Sequence, residues 1–559
     1  MWAARMLVVA SLFMMMEACA MERGLNSSID EGLIGYWKLA GDCQDYSGQD
    51  NHGICQGVLL DAAGPDGTRG QAALFNGRDS YIEVPHSPSF DFGTDDLSIS
   101  LWIKTRDSLD DVIGDILSKF DPERRRGINF TVMHHAGCTS SQSNYRHLLF
   151  GIDDGRIEQD WTDCGRPGEG IFVSAMTVFD GSLHVGTCEP EEGQAGHVYR
   201  YLGGTDWEDL GSPDASNTVM AICVYQGRLY AGTARYDTRG SALAASPNEN
   251  LGGRVYRYEG DKRWTDCGQL PDATATYALS VYRDRLYGIA MYSPGVFVWD
   301  GGTGWDYCGT PGDERSMALA VHDGFLWVSG NGSAGVLRYE GGTRWHFCGK
   351  QEDNSQTYSF AIHRGDMYVG TWPDGSVHRY EGGTDWLNVG RLGEEREVMA
   401  MTIYNGKLYA GTLPLAQVYR YDGDDNWRLT GQIDDTPDVT YRRAWSMAVY
   451  GGKLYAGTLP TGRVWSMEAG KSVTYDRELP SGWRHLAAVK EGTRLRLYLD
   501  GALVATSTDF VPADYELATD QPLKIGFGAH DYFRGSMREL RMHRRALSDQ
   551  EVAELYRGQ

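Results

Sequence analysis

The chain has 559 residues and a formal net charge of −24, with 52 Lys and Arg against 76 Asp and Glu. So acidic a surface excludes nucleic acid and an anionic bilayer as electrostatic partners, because both are held by clustered Lys and Arg. With 71 Gly, 18 Pro, 32 Tyr and 16 Trp, the composition is that of a globular chain of short aromatic strands and tight turns, long enough for about three to four domains.

The first element reads as an export signal over residues 1–20. Arg5 precedes the apolar run Met6–Met16, which falls short of the ~20 residues of a membrane span and suits a signal peptide. Two processing routes are open. Ala18-Cys19-Ala20 offers small residues for ordinary cleavage, and Met16-Glu17-Ala18-Cys19 resembles a bacterial lipobox that would lipidate Cys19. Either route places the mature chain outside the cytoplasm, secreted or tethered at the cell surface, with no membrane contact beyond that anchor. Export permits disulfides, and Cys43 and Cys55, bracketing the turn-rich Gln44–Ile54, are the expected pair. No Cys-x-x-Cys occurs to suggest a thiolate zinc site. Cys164, Cys267, Cys308 and Cys348 each stand three residues after a Trp and are expected to be small buried residues at a repeat position.

Period-two alternation follows in Leu97-Ser-Ile-Ser-Leu-Trp-Ile, the pattern of a strand with one buried face. From about 174 to 467 the chain then repeats itself. In one copy the strand Met399–Tyr404 leads through Asn405-Gly406 to Leu408–Ala410, then to Val418–Tyr421, a Gly-containing turn and Trp427. Four short antiparallel strands recurring at roughly 40 residues are the signature of a β-propeller blade. The outer-strand Trp occurs at 161, 207, 264, 305, 345, 386 and 427, and seven opening strands start near Ser174, Val219, Tyr277, Ser316, Tyr358, Val398 and Trp445. Trp161 precedes the first opening strand and the last copy lacks a Trp strand. Pairing Asp160–Cys164 with Val464–Met467 therefore completes a seventh blade and leaves no exposed edges. The repeated Trp read as packing between blades.

Turns between the first and second strands are short and uniform: Asp180-Gly181, Gln226-Gly227, Asp323-Gly324, Asn405-Gly406. Connections on the opposite face vary, with Ala234–Gly252 and Gln432–Arg443 the long ones. Binding is usually placed on variable loops of a rigid scaffold. Arg235, Tyr236, Arg239, Tyr292, Trp372, Asp374 and Arg442 are accordingly the candidate ligand-binding residues, aromatics to stack on sugar rings and charged groups to bond hydroxyls.

After the repeats come SGWRHLAAVKEGTRLRLYLDG (481–501) and LKIGFGAHDYFRGSMRELRMHRRALSDQEVAELYRG (523–558), the latter ending in a short helix near Leu547–Tyr556 with Ser548 and Glu551 set as a capping box. Together with GLIGYWKLAGDCQDYSGQDNHG (32–53), ALFNGRDSYIEVP (73–85) and LSISLWIK (97–104), these segments resemble the laminin-G-like, concanavalin-A-like jelly roll. The resemblance implies an all-β chain. A two-sheet jelly roll over 33–156 and 472–557 would be split by a seven-bladed propeller over 157–470 that enters and leaves through its own closing blade, on the short-turn face. It further implies a structural calcium ion, with Asp45 and Asn51 in the Asp-x-Ser-Gly-x-x-Asn stretch and Glu539 after Phe-x-Gly as ligands.

Catalytic signatures are absent: no Gly-x-Ser-x-Gly elbow, phosphate loop or His-Glu-x-x-His occurs, and Glu381-Gly-Gly-Thr-Asp-Trp386 does not reproduce the sialidase box. The expected function is recognition of a glycan or other extracellular ligand. A polysaccharide-active glycosidase or lyase with its site on the long-loop face, and a protein–protein scaffold, are the alternatives.

Overall fold

The computed structural model describes residues 29–291, 294–332, 335–351 and 353–558; the export signal and Cys19 lie outside them. The chain is all-β, with 54 % strand and 4 % helix.

Strands from both ends of the chain form two facing sheets. One contains Leu97–Thr105 between Gly482–Glu491 and Arg534–His543, extended by Leu59–Ala62, Ala72–Asn76, Arg494–Leu499 and Ala502–Thr506, with Leu33–Trp37 also paired to Arg534–His543. The other runs through Ile54–Gln56, Tyr81–Val84, Leu523–Ile525, Gly114–Asp121, Arg126–Cys138, Ser141–Asp154 and Lys471–Tyr475. Alternate residues such as Phe75, Ile99, Leu101, Ile103, Phe130, Phe150, Leu497 and Met537 fill the space between them, as the period-two pattern requires. The helix Asp549–Arg557 closes the module, and Ser548 and Glu551 form the capping box. Cys43 and Cys55 are disulfide-bonded, with Cα atoms 6.3 Å apart.

Between these two sets of strands, the chain forms β-propeller sheets of four antiparallel strands each. They span 172–209 (unit 1), 218–269 (unit 2), 276–307 (unit 3), 315–347 (unit 4), 356–391 (unit 5) and 397–432 (unit 6). The strands within 443–467 are completed by Thr162–Asp163, which pairs antiparallel with Val464–Met467 (unit 7). The first strand of each unit packs on that of the next, and that of unit 7 on unit 1.

The repeated Trp link neighbouring units. Nε1 of Trp207, Trp264, Trp305, Trp345, Trp386 and Trp427 donates to the backbone oxygen of Cys164, Leu210, Cys267, Cys308, Cys348 and Val389, in each case the residue three after the Trp of the preceding unit, at 2.8–3.1 Å. Trp161 donates to Thr430 Oγ1 at 3.2 Å, the same position of unit 6. The Trp are thus interface residues, as are the four Cys, all buried and unpaired. Where the bond is to the backbone carbonyl, Cys, Leu and Val all serve at that position.

The long hairpin Arg126–Cys138/Ser141–Asp154 leaves the second sheet and runs along the axis of the repeat units, between their first strands. Thr139 Oγ1 donates to Trp445 O at 2.8 Å and Ser140 Oγ to Ser174 O at 2.9 Å. Thr177 Oγ1 donates to Gln142 O, and Val281 N donates to Gln142 Oε1. Asn144 exchanges two bonds with the Val449 backbone. Polar side chains at the hairpin edge thereby satisfy inner-strand backbone groups that no neighbouring strand reaches. At Gly137, φ is +82° and an added Cβ would lie 3.0 Å from Phe360 Cβ, so the approach demands glycine.

The jelly-roll side also meets the short turns. Gly181, Arg283, Gly324 and Arg364 donate their N–H to Asp476 O, Leu109 O, Asp110 O and Ala529 O at 2.7–3.0 Å. The faces are therefore unequal: one is sealed by the sandwich and its hairpin, the other carries the long connections.

Candidate functional site: the mouth on the long-loop face

Equivalent positions at the start of the seven first strands, aligned by their pairing with the second strands, are Phe172, Thr218, Thr276, Arg315, Gln356, Glu397 and Arg443. Units 4–7 break the apolar and β-branched trend with Arg, Gln, Glu and Arg. Beneath lies an apolar layer of Met220, Tyr277, Met317, Tyr358, Met399 and Trp445, against which Phe172 packs. The Trp445 ring is at its centre, 5.0 Å from Phe172 and 6.4 Å from both Tyr277 and Tyr358. Under that layer sits the hairpin tip.

Glu397 and Arg443 are 2 % and 8 % exposed. The Arg443 guanidinium lies 5.4 Å from the Trp445 ring and 5.9 Å from Tyr441, and donates to Gly240 O. Burial raises the Glu397 carboxyl pKa, opposed by Arg443 and Tyr358. Burial, reinforced by Glu397, pushes the Tyr358 hydroxyl well above the tyrosine range. Tyr358 donates to Gln356, which also accepts from Asn331. Among the described residues, Glu397 Oε1, Arg443 Nε and Trp445 Nε1 have no hydrogen-bond partner. Buried groups of this kind are costly unless water or a ligand completes them. Around them Tyr358, Tyr441 and Trp372 are partly exposed, and the exposed Arg396 stacks 4.8 Å from the Trp372 ring.

The residues expected from the sequence fall at different places on this face. Trp372 is on the rim. Tyr236 is buried beneath the Ala234–Gly252 loop, 5.3 Å from Phe172, with its hydroxyl 2.5 Å from Ser241 Oγ. It roofs the mouth. Arg235 pairs with Glu249 at 3.6 Å, and Arg239 forms two bonds with Asp237 on the exposed loop. Asp374 accepts from Thr371 and from the Ser376 amide and hydroxyl, closing its own turn. Arg442 donates to Thr436 O at 2.7 Å. Tyr292 lies outside the described residues. Sequence reasoning missed Glu397, Arg443, Tyr358 and Trp445. Their signal was the shift to charged and polar residues at one aligned position of four consecutive units.

Asp45, Asn51 and Glu539 lie in the jelly roll. Asp45 accepts from the Tyr36, Ser47 and Asn51 amides and the Ser47 hydroxyl at 2.8–3.0 Å. Asn51 donates to Ile34 O and Ser89 Oγ, and Glu539 accepts from Tyr36 Oη and Arg541. The donors to Asp45 make it the organiser of a turn. Asn129, which with Phe130 and Thr131 has the Asn-x-Thr pattern of a glycosylation acceptor, is 2 % exposed inside the hairpin.

Residues 418–553 match the family model of the concanavalin A-like lectin/glucanase superfamily. That span covers the C-terminal sandwich strands and the end of the repeated region; the N-terminal strands that complete both sheets lie outside it. No curated protein matches the chain. Solved structures similar to it include virginiamycin B lyase from Staphylococcus aureus (11 % identity, 55 % of this chain, 99 % of that chain, TM-score 0.44). The WD40 propeller domain of Doa1 (11 %, 56 %, 97 %, 0.40) and a putative gluconolactonase (13 %, 56 %, 93 %, 0.31) are also similar. Similarity at this level carries no information about activity. Among the described residues no helix is long and apolar enough to cross a membrane.

Proposed function

We propose that the chain is an exported binding protein for glycans or chemically similar polyhydroxylated ligands. It is read as a jelly roll over 33–156 and 472–557 carrying an inserted seven-bladed propeller over 157–470, with the ligand held at the propeller mouth opposite the jelly roll. The observation that carries this reading is the Glu397–Arg443 pair, buried under a partly exposed aromatic rim with one acceptor and one donor left open. An aromatic ring offers a sugar its apolar face, while Glu397 Oε1 and Arg443 Nε–H would take a hydroxyl donor and a hydroxyl acceptor of the same terminal residue. The concanavalin A-like match and the disulfide agree with an extracytoplasmic ligand-binding chain. The hairpin below makes the site one-ended, so a chain terminus suits it better than a threaded polymer.

The test is a glycan array with the mature chain, repeated with Trp372→Ala and Glu397→Gln. Binding is expected to weaken at least tenfold in both, with unfolding temperatures close to wild type for Trp372→Ala. Undiminished binding in both variants refutes the mouth as the site. Release of products from a polysaccharide panel would replace binding by catalysis.

A further inference from the structure

A second cluster lies on the opposite face, where the sandwich meets unit 4. Asp111 sits in the connection between Leu97–Thr105 and Gly114–Asp121. Asp531 precedes Arg534–His543, and His322 ends the first strand of unit 4. Three remote segments thus bring an imidazole and two carboxylates together, all nine-tenths or more buried. Their ligand atoms lie within 4.8 Å of one another, the one such grouping among the described residues. His322 Nδ1 is 3.4 Å from Asp531 Oδ2 and 3.5 Å from Asp111 Oδ1. Neither His322 Nδ1 nor Asp531 Oδ2 has a hydrogen bond among the described residues.

Those separations are too long for charge-assisted hydrogen bonds, which close to about 2.7–2.9 Å. Both match an edge of a tetrahedron around one ion, since bonds of ~2.0–2.2 Å put ligand atoms about 3.3–3.6 Å apart, and the two carboxylates lie within 4.8 Å of each other. The surroundings hold the ligands in place. Arg534 donates to Asp111 Oδ2 at 2.8 Å, the Asp323 and Val112 amides donate to Asp111 Oδ1, and the Tyr532 amide donates to Asp531 Oδ1. Asp115 accepts from the His530 and Asp531 amides and fixes that loop. Such outer-shell bonds orient metal ligands.

We propose that Asp111, His322 and Asp531 bind one divalent transition-metal ion, zinc being the best match to one imidazole and two carboxylates, and that the ion clasps the sandwich to the repeat units. Three protein ligands leave a fourth position for water.

The full mature chain would be stripped with a chelator, reloaded with zinc and gel-filtered, and its metal content measured. One zinc per chain and a raised unfolding temperature are expected, with zinc affinity falling at least tenfold in His322→Gln and Asp531→Asn but unchanged in Trp372→Ala. No retained zinc, or full retention in both ligand variants, overturns the proposal. Should the variants fail to fold, cobalt in the wild-type chain decides: a four-coordinate spectrum supports the site and a six-coordinate one refutes it.

Discussion

Asn144 offers a direct measure of how firmly the hairpin is seated. Its Nδ2 donates to Val449 O at 2.8 Å and its Oδ1 accepts from Val449 N at 3.0 Å, both fully buried. The side chain therefore does for the first strand of unit 7 what a neighbouring strand would do in a sheet. Asn144→Ala leaves one buried N–H and one buried C=O without partners. Each costs about 1–3 kcal/mol, so the sum is about 2–6 kcal/mol. Because the hairpin belongs to the sandwich and Val449 to the repeats, the loss should appear as local opening as well as in the global transition. The assay is amide hydrogen exchange by mass spectrometry over 443–450. Protection is expected to fall between ~30-fold and ~10⁴-fold, at tenfold per ~1.4 kcal/mol. Unchanged protection there, with an unchanged unfolding temperature, would refute the reading of the hairpin as a seated axis.

Asp45→Ala should destabilise the chain by about 3 kcal/mol or more, because the amides of Tyr36, Ser47 and Asn51 lose their acceptor at about 1–3 kcal/mol each. Thermal scans with and without added calcium test the metal separately: a rise with calcium would establish the ion that the family resemblance implies, and an unchanged unfolding temperature would remove it. Asp476 is held up to about 6 by burial, opposed by Thr474 and the Gly451 amide. At this site the folded chain then binds a proton more tightly than the unfolded chain, in which an Asp titrates near ~3.9, so the contribution of Asp476 to stability falls as pH rises from about 4 to about 6 and is constant above. Asp476→Asn should reduce the slope between about pH 4 and 6 and stabilise the chain at pH 7 by about 1–3 kcal/mol, read by denaturant titrations across that range against the unsubstituted chain; an unchanged slope refutes the assignment.

The repeats were legible because each is a local event. A strand, a two-residue turn and a Trp at fixed offset recur whatever the rest of the chain does, and Trp161 marked the segment that pairs with Val464–Met467. The sandwich strands, the Cys43–Cys55 bond and the Ser548 cap were legible for the same reason: each rests on alternation or on residues close in sequence. The hairpin's destination was not, since alternation reports which side of a strand is buried and says nothing of what buries it. The mouth and the Asp111–His322–Asp531 cluster depend on closure and docking. Glu397 and Arg443 become neighbours when units 6 and 7 pack side by side, and His322 meets two carboxylates only when the sandwich seals the short-turn face. Neither has a spacing in the chain, because the distances that matter were set across surfaces formed by segments hundreds of residues apart.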